Sequence, residues 1–303
     1  MKKRLFFADA LHHVYFLADA GNVLFYTRSD RLSFYTTLSV LAKRYGVTII
    51  GVSIMFTHIH LMVRAADMAQ FRLFMGQLIR TFSRLVREDR GLAGPVFNTP
   101  FGSAPQKDPK RQRSSLIYLL NNPVEKHLFA KAVEDRWTFL AYYGGDPHPF
   151  SKPLRKDYAS RHMRDACSLV DAEFRAGRFL RPALLRKLFR PLSREEQEQL
   201  ADYIIRVYRT IDYDTANNLF GGYERLLRAA EETSGKEFEI GEAFDPASDV
   251  PYLEMSRIAS RNGLFDNWKL LHLTPGEQQG WIRKFRTNTH ATDVQVRKFL
   301  HKK

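Results

Sequence analysis

The stretch Val47 to Val63 constrains this chain most, because it is strongly β-like and carries Thr57-His58-Ile59-His60-Leu61-Met62-Val63 at its end. Side chains on a strand alternate between faces, so residues two apart point the same way. Hydrophobic alternation from Val52 to Val63 predicts a central strand. His58 and His60 then project together from one face, close enough to share a metal ion, and neutral imidazole is the commonest nitrogen ligand of a catalytic metal. A His-x-His equally describes two histidines on a half-exposed strand. A second element about sixty residues on, Tyr118-Leu119-Leu120-Asn121-Asn122-Pro123, raises its information content. On a helix, Tyr118 and Asn122 lie at i and i+4, on one face. A phenol nucleophile and an oxygen ligand would thereby reach the same metal.

The remaining punctuation predicts an alternation of short strands and helices. His12 to Phe16 and Val23 to Phe25 are β-type runs split by Ala20-Gly21-Asn22, which reads as a hairpin. Arg31 to Tyr45 has apolar residues at helical spacing, with Gly46 at the C-cap position. Met68 to Arg90 repeats Phe71, Phe74, Leu78, Phe82 and Leu85 as a core stripe, and its other face carries Arg72, Arg80, Arg84 and Arg87. That face is either simply solvated or lies along a phosphate backbone. Gly91 to Gln112 is rich in Gly, Pro and Asn and reads as a loop. It leads into Lys107, Lys110, Arg111 and Arg113, where a substrate phosphate would arrive. Ser114 or Ser115 can cap the tyrosine helix, and Pro123 should end or kink it.

These residues resemble the single-tyrosine HUH transposases, named for the His-hydrophobic-His strand. Tyr118-x-x-x-Asn122-Pro123 is similar to the REP-associated (RAYT) branch. The resemblance runs over roughly residues 8–145. It takes in His13 to Phe25 as the first hairpin, Asp30 to Val47 as the first helix and Gly51 to Val63 as the metal strand. Phe71 to Arg90 matches the second helix, and Asn121 to Tyr143, with Trp137, Tyr142 and Tyr143, the end of the domain. Many relatives carry Pro-Asn before the first histidine, where this chain has Phe56-Thr57. The resemblance implies an α+β fold, a small antiparallel sheet with packed helices of ferredoxin-like HUH nuclease type. It also implies metal-assisted cleavage and rejoining of single-stranded or hairpin DNA through a 5′-phosphotyrosine. The carry-over gives Tyr118 as nucleophile and His58, His60 and Asn122 as ligands. Two nitrogens and one oxygen suit Mg²⁺ or Mn²⁺, the latter better tolerated by imidazole. Asn121 and His127 compete as ligands, and Tyr142 and Tyr143 as nucleophiles. Relatives act as monomers or homodimers, and both stay open here.

Composition bounds the alternatives. The 303 residues suffice for two ordinary domains, and a formal net charge of +14 favours a polyanionic partner, nucleic acid before anionic membrane. One cysteine, Cys167, excludes a disulfide framework or cysteine metal cluster within one chain and fits a reducing cytosol. Met1 to Ala10 opens like a signal peptide, but Asp9, His12 and His13 stop the apolar run. No run approaches the roughly 18 apolar residues of a membrane span. A cytoplasmic, nucleoid-associated protein is expected, with no membrane partner. Gly144-Gly145-Asp146-Pro147-His148-Pro149 marks a boundary between a nuclease domain, 1–145, and a mainly helical extension, 146–303. In the extension, Ser193-Arg194-Glu195-Glu196 opens one helix as a capping box. Tyr223 to Thr233 predicts another, and Glu237 to Val250 is acidic and less regular. Thr274-Pro275 begins a helical pair ending near Leu300 that resembles a helix-turn-helix, with Arg297 and Lys298 as candidate DNA contacts. The competing functional class is a non-catalytic nucleic-acid-binding protein on the same scaffold. A water-using metal phosphodiesterase would need no tyrosine.

Overall fold

A computed structural model describes residues 5–8, 10–98, 100–232 and 247–302. The acidic stretch read from residue 237 lies outside them up to residue 246, as do Thr233 and the first four residues. The N-terminal half is a mixed α/β unit in the order β1 (Leu11–Leu17), α1 (Arg28–Tyr45), β2 (Thr48–Ile54), β3 (His58–Arg64), α2 (Met68–Arg90), β4 (Gly102–Gln106) and α3 (Pro109–Glu125). The four strands form one antiparallel sheet in the order β2-β3-β1-β4. Helices follow: α4 (Arg161–Arg175), α5 (Pro182–Phe189), α6 (Arg194–Val207), α7 (Tyr213–Asn218), α8 (Tyr223–Glu232), α9 (Val250–Arg261), α10 (Pro275–Asn288) and α11 (Asp293–Phe299). The expected fold class, a small antiparallel sheet with packed helices and a mainly helical extension, is the one observed.

The single β-like run Val47 to Val63 is two strands, joined at Met55–Thr57. β3 is central, paired with β2 on one side and β1 on the other. One face of the sheet packs on α1 and α2 through an aromatic layer. Phe16 meets Phe34 and Phe97, and Phe25 stacks on Phe82. α3 covers the opposite face, and a glycine sets how closely it sits. A Cβ on Gly51 would lie 2.7 Å from Leu116 Cδ1 and 3.5 Å from Leu119 Cδ1. Strand β2 irregularity between Ile49 and Gly51 marks the same point. The absent side chain therefore lets the tyrosine helix rest on the strand backbone.

Three local readings are corrected. Val23 to Phe25 is not a strand. Its backbone donates from Leu24 and Phe25 to the Phe56 carbonyl (2.8 and 3.1 Å) and from Val23 to the Lys298 carbonyl (3.1 Å). β1 pairs instead with β3 and β4. The loop Gly91 to Gln112 contains β4, whose sequence Gly-Ser-Ala-Pro-Gln has almost no strand propensity. It is an edge strand, which tolerates Pro105 because one side needs no ladder donor. Helix α3 starts at Pro109, capped by Asp108, whose carboxylate accepts from the Arg111 amide, so neither Ser114 nor Ser115 is the cap. The helix also passes through Pro123 to Glu125.

The hydrophobic core crosses the Gly144–Pro149 turn. One continuous cluster runs from Leu11 through the sheet to Val170, Leu185, Ile204 and Leu226. The anchor points are polar as well as apolar. Tyr143 donates to the Ile50 carbonyl (2.9 Å), the Asp212 amide to the Ile49 carbonyl (2.8 Å), and Tyr142 to the buried Asp202 carboxylate (2.7 Å), which also pairs with Arg136 (3.0 Å). A second cluster joins α9, α10 and α11 to the link after β1 and the β2–β3 turn. Tyr252, Met255, Leu270, Phe285, Val296 and Phe299 close over Val23, Tyr26 and Phe56. Tyr26 donates to the Phe299 carbonyl at 2.6 Å. No helix among the described residues is long and apolar enough to cross a membrane.

Candidate functional site

Register decides which side chains meet under α3. His13 lies opposite Met62, Tyr15 opposite His60 and Leu17 opposite His58. Alternation then places His13, Tyr15, His58 and His60 on one face. That face is the one α3 covers, so Tyr118 and Asn122 come down on the histidines. The His58 and His60 rings stand 5.0 Å apart and nearly perpendicular, and the Tyr118 ring is 5.6 Å from His60 and 5.7 Å from His13. Asn122 is buried between them. Its Oδ1 is 3.4 Å from His58 Nε2, and its Nδ2 donates to the Tyr118 carbonyl at 3.1 Å. The four residues expected from the sequence are thus gathered in one place. Asn121 is not part of it: its side chain donates to the Ala230 carbonyl at 2.8 Å. Tyr142 and Tyr143 are buried against Asp202 and Ile50, away from the cleft.

A buried relay, unanticipated from the sequence, fixes His60. Its Nδ1 is 3.0 Å from His13 Nε2, and His13 Nδ1 is 2.9 Å from the Ser115 hydroxyl on α3. Burial pushes the His13 pKa down to about 3. Burial, then the neighbouring His58 and His13, push His60 well below its ordinary value. Both rings are neutral near pH 7, and each carries one N–H. With His60 Nε2 offered as a lone pair, Nδ1–H donates to His13 Nε2 and His13 Nδ1–H donates to Ser115 Oγ. His58 has a similar support, Thr57 Oγ1 at 3.0 Å from its Nδ1, which leaves Nε2 facing Asn122. Second partners of this kind set the tautomer and orientation of metal-binding histidines.

The donor set fits a hard or borderline divalent ion. An imidazole binds a metal through a ring-nitrogen lone pair, and the 3.4 Å between His58 Nε2 and Asn122 Oδ1 is near the ~3 Å separating adjacent donors on an octahedral ion with ~2.1 Å bonds. Among the described residues no three His, Cys, Asp or Glu side chains are gathered so as to hold a metal by themselves. A three-donor set built on His58 and His60 would therefore have to include the Asn122 amide oxygen.

His58, Tyr118 and Asn122 open into a cleft of about 300 Å³. Its other wall is the C-terminal segment, through Asp249, Tyr252, Gln295 and Lys298. That wall is pinned to the end of α3. The Asp249 amide donates to the Lys126 carbonyl (3.0 Å), and the Gln295 amide nitrogen to the Ser248 carbonyl (2.7 Å). Lys298 lies across the Gly21 turn, its Cε 3.3 Å from where a Cβ on that glycine would be. Arg297 faces elsewhere, toward Arg286 and Asp293. The expected helical pair is present as α10 and α11, and α11 buries Gln295, Val296 and Phe299. Of the basic run, Lys107 sits over the Phe7 ring at 3.6 Å, and Lys110, Arg111 and Arg113 occupy the first two turns of α3. Arg111 precedes Tyr118 by seven residues, two turns earlier on the same side. His127 follows the end of α3 with a left-handed backbone, φ 58°.

No family model and no curated protein matches the chain. Among solved structures, a REP-associated tyrosine transposase bound to a REP hairpin is similar at 12% identity and a TM-score of 0.38. The match covers 45% of this chain and 80% of that one.

Proposed function

We propose that this protein cleaves and rejoins single-stranded or hairpin DNA by a single-tyrosine, metal-assisted mechanism of the HUH type. The observation that carries the reading is the meeting of His58, Asn122 and Tyr118 at one cleft, with His60 buried beside them, from two elements sixty residues apart. Mg²⁺ or Mn²⁺ held by His58, His60 and Asn122 would supply Lewis-acid polarisation of the scissile phosphate. The chain's own residues position the rest. Tyr118 attacks phosphorus, the phenol O–P bond forms and the bond from phosphorus to the 3′ oxygen breaks. The phenol proton is balanced by the one taken up on the freed 3′-OH. The 5′ phosphate stays on tyrosine, and a second 3′-OH reverses the step to rejoin DNA. Asn122 ties nucleophile and ligands together, because its amide bonds the Tyr118 carbonyl while its oxygen faces His58.

Electrostatics supports a nucleic-acid strand in this cleft. Cations in the first turn of a helix oppose its dipole, at ~0.3–1 kcal/mol each. Helix α3 nevertheless carries Lys110 and Arg111 there and Arg113 just beyond, with Asp108 close to Arg111. A phosphate backbone passing the start of α3 on its way to Tyr118 would offset that cost. Lys107 extends this patch, and Lys298 faces the strand from the opposite wall, while Arg297 would meet DNA only outside the cleft. The test uses labelled single strands from the DNA flanking the gene, with Mn²⁺ or EDTA. The expected result is metal-dependent cleavage with a covalent protein–DNA species, absent in Tyr118→Phe. Cleavage surviving in Tyr118→Phe means a water-using nuclease, and binding without cleavage in any metal means a non-catalytic binder.

A further inference from the structure

The outer face of α2 carries a second basic surface that the tyrosine cleft does not use. Arg80, Arg84 and Arg87 repeat at helical spacing and, with Arg44 from α1, surround a groove of about 600 Å³. Its floor is apolar, with Ile79, Val96 and Phe97. Among the described residues no carboxylate lines it. Among the described residues, Arg44, Arg80 and Arg87 have no acidic side chain within ion-pair distance. Arg84 has only Glu88 at 3.7 Å, an exposed pair that Glu88 shares with Arg181. Four guanidinium groups gathered around one exposed, shared carboxylate repel one another, and a bound polyanion removes that repulsion. Because α2 packs on the sheet face opposite α3, this groove lies a full layer away from Tyr118.

We propose that this groove binds the phosphate backbone of duplex DNA, apart from the strand at the tyrosine cleft. The choice of DNA rests on the function proposed above. The choice of duplex rests on the groove. Arg80 to Arg87 spans about 10 Å at 1.5 Å per residue, the axial rise of roughly three base steps of a duplex. Single-strand sites pair cations with exposed rings on which bases stack. Here Phe97 is buried and Phe179 half-buried, so the groove offers guanidinium groups and no stacking platform. Contacts of this kind position a protein on DNA and read no sequence.

The experiment compares the whole protein with Arg80→Gln/Arg84→Gln/Arg87→Gln. The control triple, Arg161→Gln/Arg164→Gln/Arg175→Gln, removes the same charge from exposed positions of α4. Binding to a blunt duplex hairpin is measured against salt concentration. Each lost phosphate contact lowers the slope of log affinity on log salt by about 0.9. The α2 triple should lower it by about 2–3 and weaken binding at least tenfold, with the control triple near wild type. Adduct formation on a saturating short single strand should be unchanged. An unchanged slope, an equal fall in the control, or an equal fall on single-stranded DNA each overturns the assignment. Tyr118→Phe separates the two proposals: it should keep the full duplex slope. An arginine-dependent slope in a protein that never forms an adduct would sustain the groove and remove the tyrosine chemistry.

Discussion

Replacing His13 by leucine removes the middle of the Ser115–His13–His60 relay while nearly conserving volume. Two buried groups lose their partner, the Ser115 hydroxyl at 2.9 Å and His60 Nδ1 at 3.0 Å. Each orphaned buried polar group costs about 1–3 kcal/mol, so the variant should lose about 2–6 kcal/mol of unfolding free energy. Adding Ser115→Ala to His13→Leu removes one orphan and should recover about 1–3 kcal/mol of that loss. Urea unfolding without metal reads both numbers. The functional effect is separate. With His60 no longer held through Nδ1, Mn²⁺ affinity should fall about 10–100-fold, the range for losing a partner behind a metal-bound histidine. Titration with Mn²⁺ followed by calorimetry measures it on folded protein. A folded His13→Leu protein that binds Mn²⁺ as tightly as wild type would refute the relay as the device that orients His60.

Three further outcomes follow from the same geometry. His13 is neutral down to about pH 3 when folded but protonates near 6.5 when unfolded, so the unfolded state binds more protons between these values. Its contribution is complete above pH 6.5 and lost as pH falls, so from pH 7 to 5 the metal-free wild type should lose about 2 kcal/mol more stability than His13→Leu. Equal losses would contradict the burial argument. Gly51→Ala forces a Cβ to 2.7 Å from Leu116, so unfolding free energy should drop by about 1–3 kcal/mol, and cleavage should fall further than the loss of folded protein explains. Unchanged urea unfolding would mean that α3 does not rest on that strand. Tyr26→Phe deletes the 2.6 Å bond to the Phe299 carbonyl, and proteolysis should release the segment after residue 247 faster than in wild type. Identical cutting rates would show that this bond does not hold the second core together.

Local physics explains which features could be read from the sequence. Helices α1 and α2 announce themselves by apolar period and by caps, Gly46 and Gly91 both adopting the left-handed conformation that ends them. His58, His60, Tyr118 and Asn122 are legible because each pair is set by one element's own repeat. His13 is different, since its meeting with His60 depends on the register between strands separated by forty residues, which no local pattern encodes. Strand β4 is held by β1 and lacks intrinsic propensity, so its Gly-Ser-Ala-Pro-Gln reads as loop. Val23 to Phe25 has the propensity of a strand, yet its donors go to Phe56 and Lys298. The wall that Lys298 and Gln295 build across the cleft comes from the far end of the chain, placed there by the packing of Phe285 and Phe299 around Tyr26. Such contacts are properties of the packed molecule and carry no signature in spacing.

Under the proposed mechanism Tyr118 becomes covalently attached to DNA. The most direct measurement is peptide mapping by mass spectrometry after reaction with a single strand from the flanking DNA in Mn²⁺. A nucleotide phosphate should appear on the peptide containing Tyr118, absent with EDTA and reduced with His58→Ala or His60→Ala. A nucleotide on another residue, or cleaved DNA with every tyrosine unmodified, would contradict it.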